Sequence, residues 1–99
     1  MESGFIHVSC NGGFVARFSV KYNLNGKEIE SDSGQFTSGV SKAILVPADA
    51  TNIIVTVQEE WFISSWSTVA VYTFASPVKK CYDVTGTTLN AHCKEIECS

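Results

Sequence analysis

Two short stretches concentrate the residues of this chain that could do chemistry. Residues 81–93, CYDVTGTTLNAHC, set a cysteine at each end of a polar run with a single leucine, Leu89, near its middle. Residues 58–69, QEEWFISSWSTV, place Trp61, Phe62, Ile63 and Trp66 among glutamates and serines. Thiols beside a histidine can close as disulfides or hold a metal ion. Indole rings can stack on the apolar face of a sugar or anchor at a lipid–water boundary.

The thiols are Cys10, Cys81, Cys93 and Cys98. Four in a chain of 99 residues point to an oxidising compartment, and so to a secreted, extracellular protein. Two disulfides are the expected use, with three possible connectivities. A Cys81–Cys93 bond would close the polar loop and contribute about 3 kcal/mol on the chain-entropy account. The rival is a tetrahedral zinc site from His92, Cys93, Cys98 and Cys81, but the usual C-x2-C spacing is missing. Disulfides are favoured, and no metal or cofactor is expected. Residues 1–10, MESGFIHVSC, lack the basic start and apolar stretch of a signal peptide, so the export route is not legible.

Catalysis finds little support. The histidines are His7 and His92, and neither G-x-S-x-G nor H-E-x-x-H occurs. Asp32, Asp49, Glu59, Glu60 and Asp83 could include a carboxylate pair for glycoside hydrolysis. Scattered over so small a chain they read as surface charge, so no enzyme is expected. The net charge of −3 and the dispersed lysines and arginines exclude nucleic acid as a partner. No apolar run reaches the roughly 18 residues of a membrane span.

The elements that must position these groups are strands. In FVARFSVKY, Phe14, Ala16, Phe18, Val20 and Tyr22 share one face, while Val15, Arg17, Ser19 and Lys21 share the other. Asn25-Gly26 then signals a two-residue hairpin, and KEIES returns as a charged edge strand. SKAILV stops at Pro47. NIIVTVQE and STVAVYTFA alternate and are rich in β-branched residues. With FIHVSC, KCYDVT and HCKEIEC the count reaches about eight strands, and no segment has helical periodicity. The expectation is an all-β fold: one domain, residues 1–99, built as an antiparallel two-sheet β-sandwich.

Several pieces, in order, resemble the C-terminal β-sandwich domain of the thiol-activated, cholesterol-dependent cytolysins. NGGFVARFSV is similar to that family's Gly-Ala-Tyr-Val-Ala-Arg-Phe strand, and NGKEI to the hairpin after it. VPADATNIIVTVQE resembles its alternating strand ending in Arg-Glu. EEWFISSWSTV lies where the family carries a tryptophan-rich loop followed by Thr-Val, and TGTTLN resembles its Trp-Gly-Thr-Thr-Leu-Tyr-Pro. The resemblance spans residues 12–90. It implies that Thr88 and Leu89, a threonine–leucine pair at a loop tip, contact membrane sterol. The chain departs from the pattern in its tryptophan segment, which is about two residues short. That segment lacks the family's cysteine, one tryptophan and the closing arginine, near whose place Ser67 stands. The pore-forming domains have no counterpart here, and the four cysteines suggest a stapled, free-standing domain.

These observations lead to a non-catalytic module that binds cell surfaces, and two ligands compete. The leading expectation is lectin-like recognition of surface carbohydrate, of agglutinin type. Trp61, Trp66 and Tyr72 would stack, while Asn11, Asn23, Asn25, Gln58, Asp83 and Asn90 would bind hydroxyls. The alternative is a sterol-containing membrane surface, met by Thr88, Leu89 and the 61–66 segment without pore formation. Trp61, Phe62, Trp66, Thr88, Leu89, Asn90 and Gly13 form the expected ligand-binding set, and a homo-oligomer fits either ligand.

Overall fold

A computed structural model of the chain describes residues 3–62, 65–87 and 90–98, with the backbone alone for Trp61 and Phe62. The described residues form eight strands and no helix: β1 (Gly4–Cys10), β2 (Val15–Leu24), β3 (Lys27–Asp32), β4 (Ser41–Val46), β5 (Thr51–Phe62), β6 (Ser65–Phe74), β7 (Lys79–Thr87) and β8 (Asn90–Ile96). Two four-stranded sheets result, ordered β4-β1-β7-β8 (sheet A) and β3-β2-β5-β6 (sheet B). The expected sandwich is the observed one.

Period-two patterning dictates which faces meet. Phe14, Ala16, Phe18, Val20 and Tyr22 are buried, as are Ile53, Val55 and Val57 beside them on β5. Sheet A answers with Ile6, Val8, Ile44, Val46, Tyr82 and Val84. Two ring contacts add to the core, one across the layers and one beside β2, to which Phe36 is bridged through Ala16. Tyr72 of β6 stacks on Tyr82 of β7 with centroids 4.4 Å apart, and Phe36, from the β3–β4 connection, meets Phe18 edge-on at 6.3 Å. The expected Asn25-Gly26 turn has positive φ at both residues, 52° and 82°, as a tight hairpin requires. β3, the charged strand, lies at the edge of sheet B.

One pairing departs from the antiparallel expectation. Odd-numbered strands run toward one end of the sandwich and even-numbered strands run back. Sheet A places β1 beside β7, two odd strands, so this pair is parallel, with Val8 opposite Tyr82. The other five described pairings are antiparallel.

The cysteines also depart from expectation. Cys81 bonds to Cys98, Cα to Cα 5.4 Å, while Cys10 and Cys93 are free. Strand parity explains why the Cys81–Cys93 bond does not form. Cys81 stands opposite Ile96 and points to the outer face of sheet A, whereas Cys93, three residues before Ile96, packs on the core. Nor can Cys10 reach Cys93. Both flank Val84 on the core face, one on each side of β7. Two strand spacings, roughly 9–10 Å, separate them, beyond disulfide reach. The zinc alternative loses its ligands too. Two of its thiols are in the disulfide, and adjacent residues His92 and Cys93 face opposite ways. No cluster of three metal-ligating side chains occurs among the described residues.

Candidate functional site at one end of the sandwich

The strand directions gather the functional candidates. Odd strands finish where even strands begin, so residues 11–14 and 33–40 connect strands at one end, the tip, where β5 and β7 also finish and β6 and β8 begin. Connections 25–26, 47–50 and 75–78 lie at the opposite end. The strand ends flanking the tryptophan segment, Phe62 and Ser65, therefore share the tip with those flanking the threonine–leucine segment, Thr87 and Asn90.

The tip is laced at its base. Asn11 N–H donates to the Val84 carbonyl at 2.7 Å and Gly13 N–H to the Gly86 carbonyl at 3.1 Å. The Asn11 side-chain amide donates to the Asp83 carboxylate. On the other side Cys10 N–H donates to the Val40 carbonyl, and Gly39 N–H to the Cys10 carbonyl. Gly86 is required where it stands. Its φ is +103°, and a Cβ there would lie 2.2 Å from the Asn90 carbonyl oxygen. This glycine lets the start of β8 approach β7 closely.

Of the expected ligand-binding residues, Gly13 and Asn90 are exposed at this end. Trp61 and Phe62 have their backbone in the last positions of β5. Their side chains lie outside the described part of the structure, as do residues Thr88 and Leu89. Trp66 neither enters the core nor stands free. It lies opposite Glu60 on the outer face of sheet B, partly buried, with the Arg17 guanidinium carbon 4.0 Å from its ring centre. Arg17 is itself oriented by Gln58, whose side-chain oxygen accepts from Nε at 2.8 Å.

The hydroxyl-binding set is only partly brought together. Asn11, bonded to Asp83, shares the tip with exposed Asn90, whereas Asn23 and Asn25 sit at the far end and Gln58 is engaged by Arg17. Of the stacking set, Tyr72 lies against Tyr82 between the sheets. Burial pushes the Tyr72 hydroxyl well above its ordinary range, with the Cys93 thiol beside it contributing next, and burial raises Tyr82 to about 12. Burial likewise raises Cys10 and Cys93, so both keep their protons near neutrality.

Glu59 corrects the surface-charge reading. It continues the inward series Ile53, Val55, Val57, is only 5% exposed, and leaves Oε2 without a hydrogen-bond partner. Burial raises its pKa. Extending the alternation two residues along NIIVTVQE would have found it. Asp32 and Asp49 are exposed and Asp83 lies on the outer face of sheet A, apart from Glu59 on the core face of sheet B.

Comparison with known proteins agrees with this architecture. The membrane-binding domain of pneumolysin superposes with a TM-score of 0.73 at 19% identity, covering 99% of each chain. Listeriolysin O gives 0.71 at 22% identity, with 98% of this chain covered. Suilysin from Streptococcus suis gives 0.71 at 22% identity, with 99% covered. The chain spans 23% of listeriolysin O and 24% of suilysin. At such identities the likeness carries the fold. No curated protein matches the chain. The family model described as the thiol-activated cytolysin beta sandwich domain matches residues 5–92, and the chain belongs to that family.

Proposed function

We propose that the chain is a non-catalytic, secreted module that binds sterol-containing membrane surfaces through the tip. The observation that carries this reading is the shared end: the strand ends flanking 63–64 and 88–89 converge there, beside exposed Gly13 and Asn90. In this reading the Thr88 hydroxyl hydrogen-bonds the sterol head and Leu89 enters the apolar layer, with Trp61 and Phe62 in the interfacial zone. The likeness to the membrane-binding domain of pneumolysin, over the same length of chain, supports it. The Cys81–Cys98 bond supports an extracellular setting.

The order of the two ligands set by the sequence is thereby reversed. Sugar recognition needs ring faces and amides converging on one patch, and here Tyr72, Asn23 and Asn25 are dispersed while one face of Trp66 is covered. Flotation with phosphatidylcholine vesicles decides the matter. Binding that requires cholesterol and is lost in Leu89→Asp is expected. Cholesterol-independent flotation would sink the sterol reading, and red-cell agglutination blocked by a free sugar would restore the carbohydrate reading.

A further inference from the structure

Four strands lie at sheet edges: β4 and β8 in sheet A, β3 and β6 in sheet B. Charge on an edge discourages pairing with another chain. β3 carries Lys27, Glu28, Glu30 and Asp32, β4 carries Lys42, and β8 carries Lys94 and Glu95. β6, SWSTVAVYTF, carries neither charge nor proline. Val69 is an extra residue against β5, but from Ala70 to Phe74 the ladder is regular. Among the described strands β6 pairs with β5 alone, and none of the described backbone bonds outside the ladders involves residues 70–74. Half of the edge's hydrogen-bonding capacity is therefore available. The outer face beside it is uncharged, pairing Ile54 with Thr73 and Thr56 with Val71. Val71 is 55% exposed and Ile54 38%, and a hollow of about 360 Å³ opens between Ile54, Thr73 and Ala75.

We propose that β6 pairs antiparallel with β6 of a second copy of this chain, centred on Tyr72, merging the two B sheets into one of eight strands. In this register Val71 of each copy stands opposite Thr73 of the other, beside the hollow next to Ile54. Cross-strand β-branched pairs of this kind are favourable, and no like charges are opposed. A twofold contact uses the same patch on both copies and closes at a dimer. Because β6 runs away from the tip, antiparallel pairing points the two tips in opposite directions. Resting on the membrane reading above, the dimer is a bivalent bridge between two lipid surfaces.

Sedimentation equilibrium of the 99-residue chain tests the pairing. The native sequence is expected to dimerise and Val71→Lys to be monomeric with an unchanged far-ultraviolet circular dichroism spectrum. Leu45→Lys, at a still more exposed position on sheet A, should remain dimeric. A native chain that is monomeric at millimolar concentration, or a dimer that Val71→Lys leaves intact, overturns the proposal. With phosphatidylcholine–cholesterol vesicles, the native chain should cluster them, while Val71→Lys floats with them without clustering. Clustering by the monomeric variant would overturn the opposed-tip arrangement. Failure of both chains to float would instead sink the membrane reading and leave the sedimentation result standing.

Discussion

The guanidinium of Arg17 lies over the ring of Trp66, carbon to ring centre 4.0 Å, so a residue of β2 covers the first aromatic side chain of β6. Arg17→Ala should uncover the indole. In a Trp61→Phe background the emission should move to longer wavelength, and stability should fall by about 0.5–1 kcal/mol, the scale of an exposed cation–π contact. Unchanged emission would mean that the stack does not persist in solution.

The thiols should divide two and two. Cys98→Ser removes the crosslink to Cys81 and should lower unfolding stability by about 3 kcal/mol, read from urea denaturation with a slope no shallower than the native one, since the unfolded chain is then less compact. Cys10 and Cys93 should resist a thiol reagent in the native protein and react when urea unfolds it. Two reactive thiols in native buffer would contradict their burial.

Glu59 gives the stability a definite pH dependence. Its raised pKa means that the folded chain holds this proton to higher pH than the unfolded chain does. Its contribution therefore weakens stability as pH rises from the ordinary carboxylate range through the raised value. Glu59→Gln should be more stable than the native sequence at pH 7, by on the order of 1 kcal/mol. The advantage should vanish below about pH 4, where both states are protonated. Thermal unfolding across that range gives the sign.

Two tip glycines should behave oppositely. Gly86→Ala places a Cβ against the Asn90 carbonyl at positive φ and should cost about 1–3 kcal/mol. Gly13→Ala meets no atom within 4 Å and should stay within about 0.5 kcal/mol. Equal effects would mean that the close approach of Asn90 to Gly86 does not persist in solution.

Much of the architecture was legible because side-chain alternation is a local signal. Phe14 to Tyr22 and Ile53 to Val57 declare their buried face without reference to partners, and Asn25-Gly26 declares its turn. The cysteine pairing was not legible. Across a hairpin, shared facing depends on register: Cys81 meets Ile96, and that alone turns Cys93 away. The β1–β7 neighbours depend on sheet order, which no local pattern encodes. The position of Trp66 was hidden by the irregular pairing around Val69 and between Glu60 and Phe62. Convergence at the tip was within reach, since alternate connections of an up-and-down chain share an end. The ligand ranking turned on a different point: composition supplied ring faces and amides, but only the fold shows that Asn23 and Asn25 lie at the far end and that Tyr72 and Gln58 are already engaged.

The parallel β1–β7 pair has a kinetic consequence. Sheet B is drawn from β2, β3, β5 and β6, all made before β7, whereas the centre of sheet A joins the first strand of the chain to the seventh. Closing so long a loop is entropically slow, and pairings distant in sequence lag behind local ones. Pulse-labelled hydrogen exchange should therefore show amides of β2 and β5 protected before those of β1. While β1 waits, its inner face, Ile6 and Val8, lacks a finished sheet around it, and aggregation during refolding should begin there.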